Sequence, residues 1–108
     1  MTPAGAREIA LSFPGAHERM SQGGPEIRVG GEFLVRIGTR EPDTLMLKTG
    51  SLEERDMMLE AEPKLFYITD HFRTYKSLLV RLSVLDTRTL RALLASRMQA
   101  ITRPKKKR

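Results

Sequence analysis

Apolar positions recur along the chain with two different periods, and the switches between them outline eight elements. Ala6, Ile9, Ala10 and Phe13 stand at i, i+3, i+4 and i+7, the spacing of one helix face, and Thr2-Pro3 offers an N-cap followed by proline at the first helical position. Pro14-Gly15 ends this helix, and Gln22-Gly23-Gly24-Pro25 reads as a turn-rich connection. Ile27-Arg28-Val29 then reads as a strand, followed by Gly30-Gly31 and a second strand over residues 33–37. A two-residue turn would set Val29 against Glu32 and Arg28 against Phe33, which mixes the faces. A three-residue loop through Glu32 pairs Val29 with Phe33 and Ile27 with Val35, so the longer loop is expected.

Residues 39–43 contain Pro42 and predict a second turn before a strand over 45–48. Ser51-Leu52-Glu53-Glu54 is a capping box that opens a helix to about Ala61, with Pro63 marking its end. Two further strands, 65–68 and 78–84, flank the polar stretch 69–77. Asp86 caps the last helix, where Leu90, Leu93, Leu94, Met98 and Ile101 share one face while Arg88 and Arg91 point away. The order is α-β-β-β-α-β-β-α. It predicts an α+β fold of two layers, an antiparallel sheet of about five strands with three helices on one face, forming a single domain over residues 1–102.

Alternation along the strands assigns their faces. If Ile27, Val29, Phe33, Val35, Ile37, Leu45, Leu47, Val80 and Leu82 meet the helices, then Arg28, Leu34, Arg36, Met46, Lys48, Leu79 and Arg81 share the opposite face. That face would be basic and partly apolar. One reading is a solvated sheet whose charges pair across strands with Glu26 and Glu32; the other is a contact surface, favoured by three exposed apolar side chains.

Charge sharpens the picture. The chain carries 19 Lys+Arg against 13 Asp+Glu, a net +6, but Arg103, Lys105, Lys106, Lys107 and Arg108 lie in the last six residues; without them the balance is 14 − 13 = +1. Such a block stays solvated, either as a solubilising tail or as a non-specific contact to phosphates. Residues 51–62 hold five acids against Arg55, net −4, which leaves +1 + 4 = +5 for the rest of the body. Acids in a first helical turn have a sufficient structural reason in the helix dipole.

No cysteine is present, which excludes disulfides, thiolate metal sites and a Cys nucleophile and suits a reducing compartment. Residues 1–13 show no apolar run of signal-peptide length, nor does any stretch approach the roughly 18 apolar residues of a membrane span, so a cytoplasmic location is expected. His17 and His71 each have a carboxylate neighbour, Glu18 and Asp70, but no second ligand or nucleophile at motif spacing. Asp70-His71-Phe72-Arg73 is a candidate ligand loop, joining polar and aromatic groups. The chain carries no Walker loop, dinucleotide fingerprint or nucleophile elbow, and neither an enzymatic role nor a cofactor or metal is expected.

Phe13-Pro14-Gly15-Ala16-His17-Glu18, Gly24-Pro25-Glu26-Ile27-Arg28-Val29-Gly30-Gly31, Leu45-Met46-Leu47-Lys48, Asp70-His71-Phe72, Leu79-Val80-Arg81-Leu82 and a closing Pro-Lys-Lys occur in this order. Together they resemble the MmcQ/YjbR-like family of small bacterial proteins often labelled DNA-binding. The resemblance implies one antiparallel sheet with helices on one face, related to secretion-chaperone and CyaY-like arrangements. This chain departs from the family at Glu32, where a Lys is usual, at Tyr75-Lys76-Ser77, where Tyr-Pro-Trp is common, and in lacking an aromatic late in the final helix.

Two functions follow as expectations. The first is a non-catalytic DNA-binding module that holds phosphates with Arg28, Arg36, Lys48 and Arg81, aided by the basic tail. The second is a protein-interaction adaptor in which Leu34, Met46 and Leu79 meet an apolar partner. Salt dependence separates the two.

Overall fold

In a computed structural model, residues 1–21, 24–38 and 43–102 are described. The elements run α1 (Pro3–Leu11), β1 (Ala16–Ser21), β2 (Gly24–Val29), β3 (Glu32–Ile37), β4 (Thr44–Lys48), α2 (Leu52–Ala61), β5 (Phe66–Tyr67), a 3₁₀ turn (Asp70–Phe72), β6 (Ser77–Arg81) and α3 (Thr87–Thr102). The strands form one antiparallel sheet in the order β1-β2-β3-β4-β6-β5. The α+β architecture and its three helices are as expected, with six strands in place of about five.

Helix starts obey their local signals. The Thr2 hydroxyl accepts from Gly5 N, Ser51 Oγ accepts from Glu54 N, and Asp86 accepts from Thr89 N, a bond that holds the Asp86 carboxyl below its ordinary pKa. The return arm of the Ser51 box goes to Gly50 N, one residue earlier than the usual pattern.

The additional strand is β1. It pairs with β2 from Ala16 opposite Val29 to Ser21 opposite Gly24, so Gly24 and Pro25 of the connection expected over Gln22–Pro25 are strand residues, while Gln22 and Gly23 lie outside the described residues. The turn expected over 39–43 falls largely on residues 39–42, also outside them. The two later strands are shorter than expected, ending as Phe66–Tyr67 and Ser77–Arg81.

The three-residue loop after Val29 does not form. Gly30 and Gly31 have φ of 58° and 85°, the left-handed pair that a two-residue hairpin turn requires, and they set Val29 against Glu32 and Arg28 against Phe33. Ile27 nevertheless faces Val35. The pairing jumps by one between Ile27 and Arg28, leaving Leu34 as the extra residue of a β-bulge. Leu34 and Val35 therefore both enter the core, fully buried, while Phe33 turns to the opposite face. This reverses the sides expected for Phe33 and Leu34.

The core lies between that sheet face and the helices. Ala6 and Ala10 of α1 and Leu90 and Leu94 of α3 meet Val35, Leu45, Leu78 and Val80, and α2 adds Met58 and Leu59. Arg88 and Arg91 stay exposed, as the helical pattern predicts. Leu34→Ala and Leu94→Ala should each cost roughly 2 to 5 kcal/mol in denaturant unfolding, against a change within about 0.5 kcal/mol for Arg88→Ala. A Leu34→Ala cost as small as that of Arg88→Ala would place the bulge elsewhere.

Candidate nucleic-acid interface

Direct cross-strand partners in an antiparallel sheet point to the same side, so the register fixes what the helix-free face carries. Arg19 stands opposite Glu26, His17 opposite Arg28, Arg28 opposite Phe33, Arg36 opposite Met46, Met46 opposite Leu79, and Thr44 opposite Arg81. Side-chain bonds confirm the sides. Arg7 of α1 reaches Glu18 at 2.5 Å on the helix side of β1, whereas Arg36 reaches Ser21 Oγ at 2.8 Å on the other.

Arg28, Arg36, Lys48 and Arg81 thus share the face expected of them, joined by Arg19, which the sequence pattern misses because residues 16–21 carry no apolar alternation. Five cations stand there against one carboxylate, Glu26, a balance of 5 − 1 = +4 among the described strand residues.

Glu26 organises this surface. It is 3% exposed, Arg28 Nε donates to one carboxylate oxygen, and Arg36 donates to the other at 2.6 Å. Burial pushes its pKa up, but the neighbouring Ser21 hydroxyl, the Arg28 hydrogen bond and the charges of Arg28 and Arg36 outweigh this and hold it below the ordinary 4.5. The arginine side chains are 25% and 21% exposed, pinned rather than free. Arg36 thus pairs with Glu26 across strands and Arg28 pairs with it along β2, while exposed Glu32 has no ion-pair partner among the described residues.

Lys48 and Arg81, and Arg36 as well, rest on aromatic rings. Lys48 Nζ lies 5.3 Å from the Phe33 ring centre and Arg36 lies 5.6 Å from it, while the Arg81 guanidinium sits 4.4 Å over Tyr67 and donates to the Pro63 and Lys64 carbonyls. Arg19 and Lys48 are the exposed members. Arg103, Lys105, Lys106, Lys107 and Arg108 lie outside the described residues.

The apolar half of the expected surface is largely withdrawn. Leu34 is in the core through the bulge, and Leu79, although on this face, is buried between its strand neighbours Met46 and Tyr67. Met46 alone of the three stays partly exposed, so the adaptor reading is left without its apolar patch.

The loop that carries Asp70, His71, Phe72 and Arg73 adjoins the face: Thr49 N donates to Lys76 O at 2.7 Å, and Lys48 stands opposite Ser77. It is held from beneath by Arg55, a buried side chain of the acidic helix α2. One terminal nitrogen of Arg55 donates to the carbonyls of Phe72, Arg73 and Tyr75 at 3.1, 2.8 and 2.9 Å, and Asp56 takes the rest of the guanidinium. In sequence Arg55 is a lone base among acids; five N–H donors in a fixed fork explain its choice. Asp70 and Arg73 pair with each other in solvent. His17 and His71 are both exposed, and among the described residues no three of His, Asp and Glu gather as a metal site.

A cleft of about 100 Å³ opens between the end of β4, α2 and α3, lined among others by Thr49, Glu54, Met58 and Arg97, well below the size of ordinary small-molecule sites. Among the described residues no helix is long and apolar enough to cross a membrane. A family model described as YjbR matches residues 11–97, which include all six strands. No curated protein and no solved structure matches the chain.

Because the Glu26 pKa is depressed in the folded protein, its stabilising effect is complete above the ordinary value of 4.5 and is lost as pH falls through the lower folded value. Glu26→Gln should cost roughly 2 to 4 kcal/mol at neutral pH, leaving two pinned arginines without a counter-charge, and should flatten the acid limb of the stability curve. An acid limb of unchanged slope in the variant would remove Glu26 from the centre of this network.

Proposed function

The chain belongs to the YjbR family, and from that premise we propose that it is a non-catalytic DNA-binding module whose helix-free sheet face holds phosphates. The supporting observation is the segregation of five cations against one carboxylate on the sheet face opposite the described helices. Arg19 and Lys48 make the free contacts. Arg28 and Arg36, fixed by Glu26, each keep a terminal nitrogen without a protein partner among the described residues, so they offer donors at set positions rather than on mobile stems. The tail adds electrostatic affinity without orientation. Phosphate contacts of this kind position a nucleic acid and read no sequence, so binding of similar strength to unrelated sequences is the expected behaviour.

Charge reversal of Arg28 or Arg36 would disturb the Glu26 network, whereas Arg19 and Lys48 can be changed at the surface. The variant with Arg19→Ala and Lys48→Ala should bind a labelled DNA oligonucleotide more weakly and with a salt slope reduced by about 0.9 for each phosphate it no longer neutralises. Removal of residues 103–108 should flatten the slope further and leave measurable binding at low salt. Arg88→Ala with Arg91→Ala, on the far side of the molecule, should change little. If the helix pair matters more than Arg19 and Lys48, the face is misassigned; if the tail-less protein binds no DNA at low salt, the DNA reading falls.

A further inference from the structure

The loop over residues 70–76 presents an ordered aromatic group at the end of the basic face. His71 and Phe72 meet edge to face at 4.9 Å and 84°, His71 and Tyr75 at 5.7 Å and 89°, and Phe72 and Tyr75 at 6.0 Å and 71°. Tyr75 remains 50% exposed, and His71 is exposed as well. On the sheet itself the rings are covered, Phe33 by Arg36 and Lys48 and Tyr67 by Arg81. The face and the loop therefore divide two chemistries: cations without a free ring on the strands, free rings at their end.

The loop is also preorganised. Its carbonyls at Phe72, Arg73 and Tyr75 converge on Arg55, which lies in a helix otherwise negative, and its last residue is bonded to Thr49 directly after Lys48. A ring held this way loses little conformational freedom on contact, and tyrosine has few torsions to lose. Lys48 and Lys76, both exposed, flank it and match an anionic backbone running off the sheet, with the exposed Asp70–Arg73 pair contributing no net charge.

We propose that this loop is a stacking platform for an unpaired nucleobase, so that the protein takes single-stranded rather than duplex nucleic acid. The proposal rests on the reading of the strand face as a phosphate-binding surface. Base–aromatic stacking tolerates any sequence because every base has a π-face, and it is denied to bases already stacked within a duplex. The strand's phosphates lie along Lys48, Arg36 and Arg19 while one base leaves the backbone to meet Tyr75.

The test compares the full chain with Tyr75→Ala and Tyr75→Phe on a fluorescent single-stranded DNA of about 12 nucleotides and on its duplex. Wild type should prefer the single strand. Tyr75→Ala should lose about 5- to 100-fold on the single strand and less than about 2-fold on the duplex, with Tyr75→Phe close to wild type. Tyrosine emission supplies a readout that does not depend on the alanine variant folding, since Tyr67 and Tyr75 are the only tyrosines and tryptophan is absent. Unlabelled single strand should quench wild-type emission, and most of that quenching should vanish in Tyr75→Phe. Retained single-strand affinity in Tyr75→Ala, or no quenching on saturation, overturns the platform while leaving the basic face intact. No binding of either DNA at low salt overturns both.

Discussion

One inserted residue, Leu34, determines which side chains stand on each face of the sheet. The Gly30-Gly31 turn forces Arg28 opposite Phe33, and an unbroken ladder from there would carry Leu34 into the core and turn Val35 outward. The bulge places Leu34 and Val35 side by side beneath the helices and returns Arg36 to the side of Arg28 and Phe33. Two apolar residues are thereby buried and two arginines converge on one carboxylate. Without the extra residue, the strand would have to expose a branched aliphatic side chain or bury an arginine, each worth kilocalories.

Glu26 is the electrostatic counterpart of that bulge. A buried carboxylate is unfavourable unless paired, and two arginines are unfavourable side by side unless something lies between them. The three groups solve both problems and leave a rigid, net-positive surface. Arg36 and Arg81 gain further order from the rings beneath them, while exposed Arg19 and Lys48 complete the pattern of charge. Arg55 of the acidic helix α2 serves the neighbouring loop instead.

Much of this is legible in the chain itself. Thr2, Ser51 and Asp86 announce the three helices because capping is a local exchange between a side chain and the next few N–H groups. The apolar faces of α1 and α3 follow from a period that tertiary contacts do not alter. By contrast β1 escapes detection, since His17, Glu18, Arg19 and Met20 are exposed on both sides and an edge strand at the periphery needs no alternation. Phe33 and Leu34 exchange sides because a bulge breaks the period without any residue that advertises it. Burial of Leu79 depends on Tyr67 from a two-residue strand distant in sequence, and the work of Arg55 depends on three carbonyls some 17 to 20 positions away.

The sheet face opposite the helices is proposed as the surface that holds nucleic acid. Backbone amide and arginine side-chain NMR shifts of the 12.3 kDa chain, followed during titration with a short DNA at low salt, locate the contact. Perturbations are expected at Arg19, Arg28, Arg36, Lys48 and the loop ending at Lys76, with Arg88, Arg91 and the outer side of α1 unmoved. Perturbations concentrated on α3, or confined to residues 103–108, would contradict it.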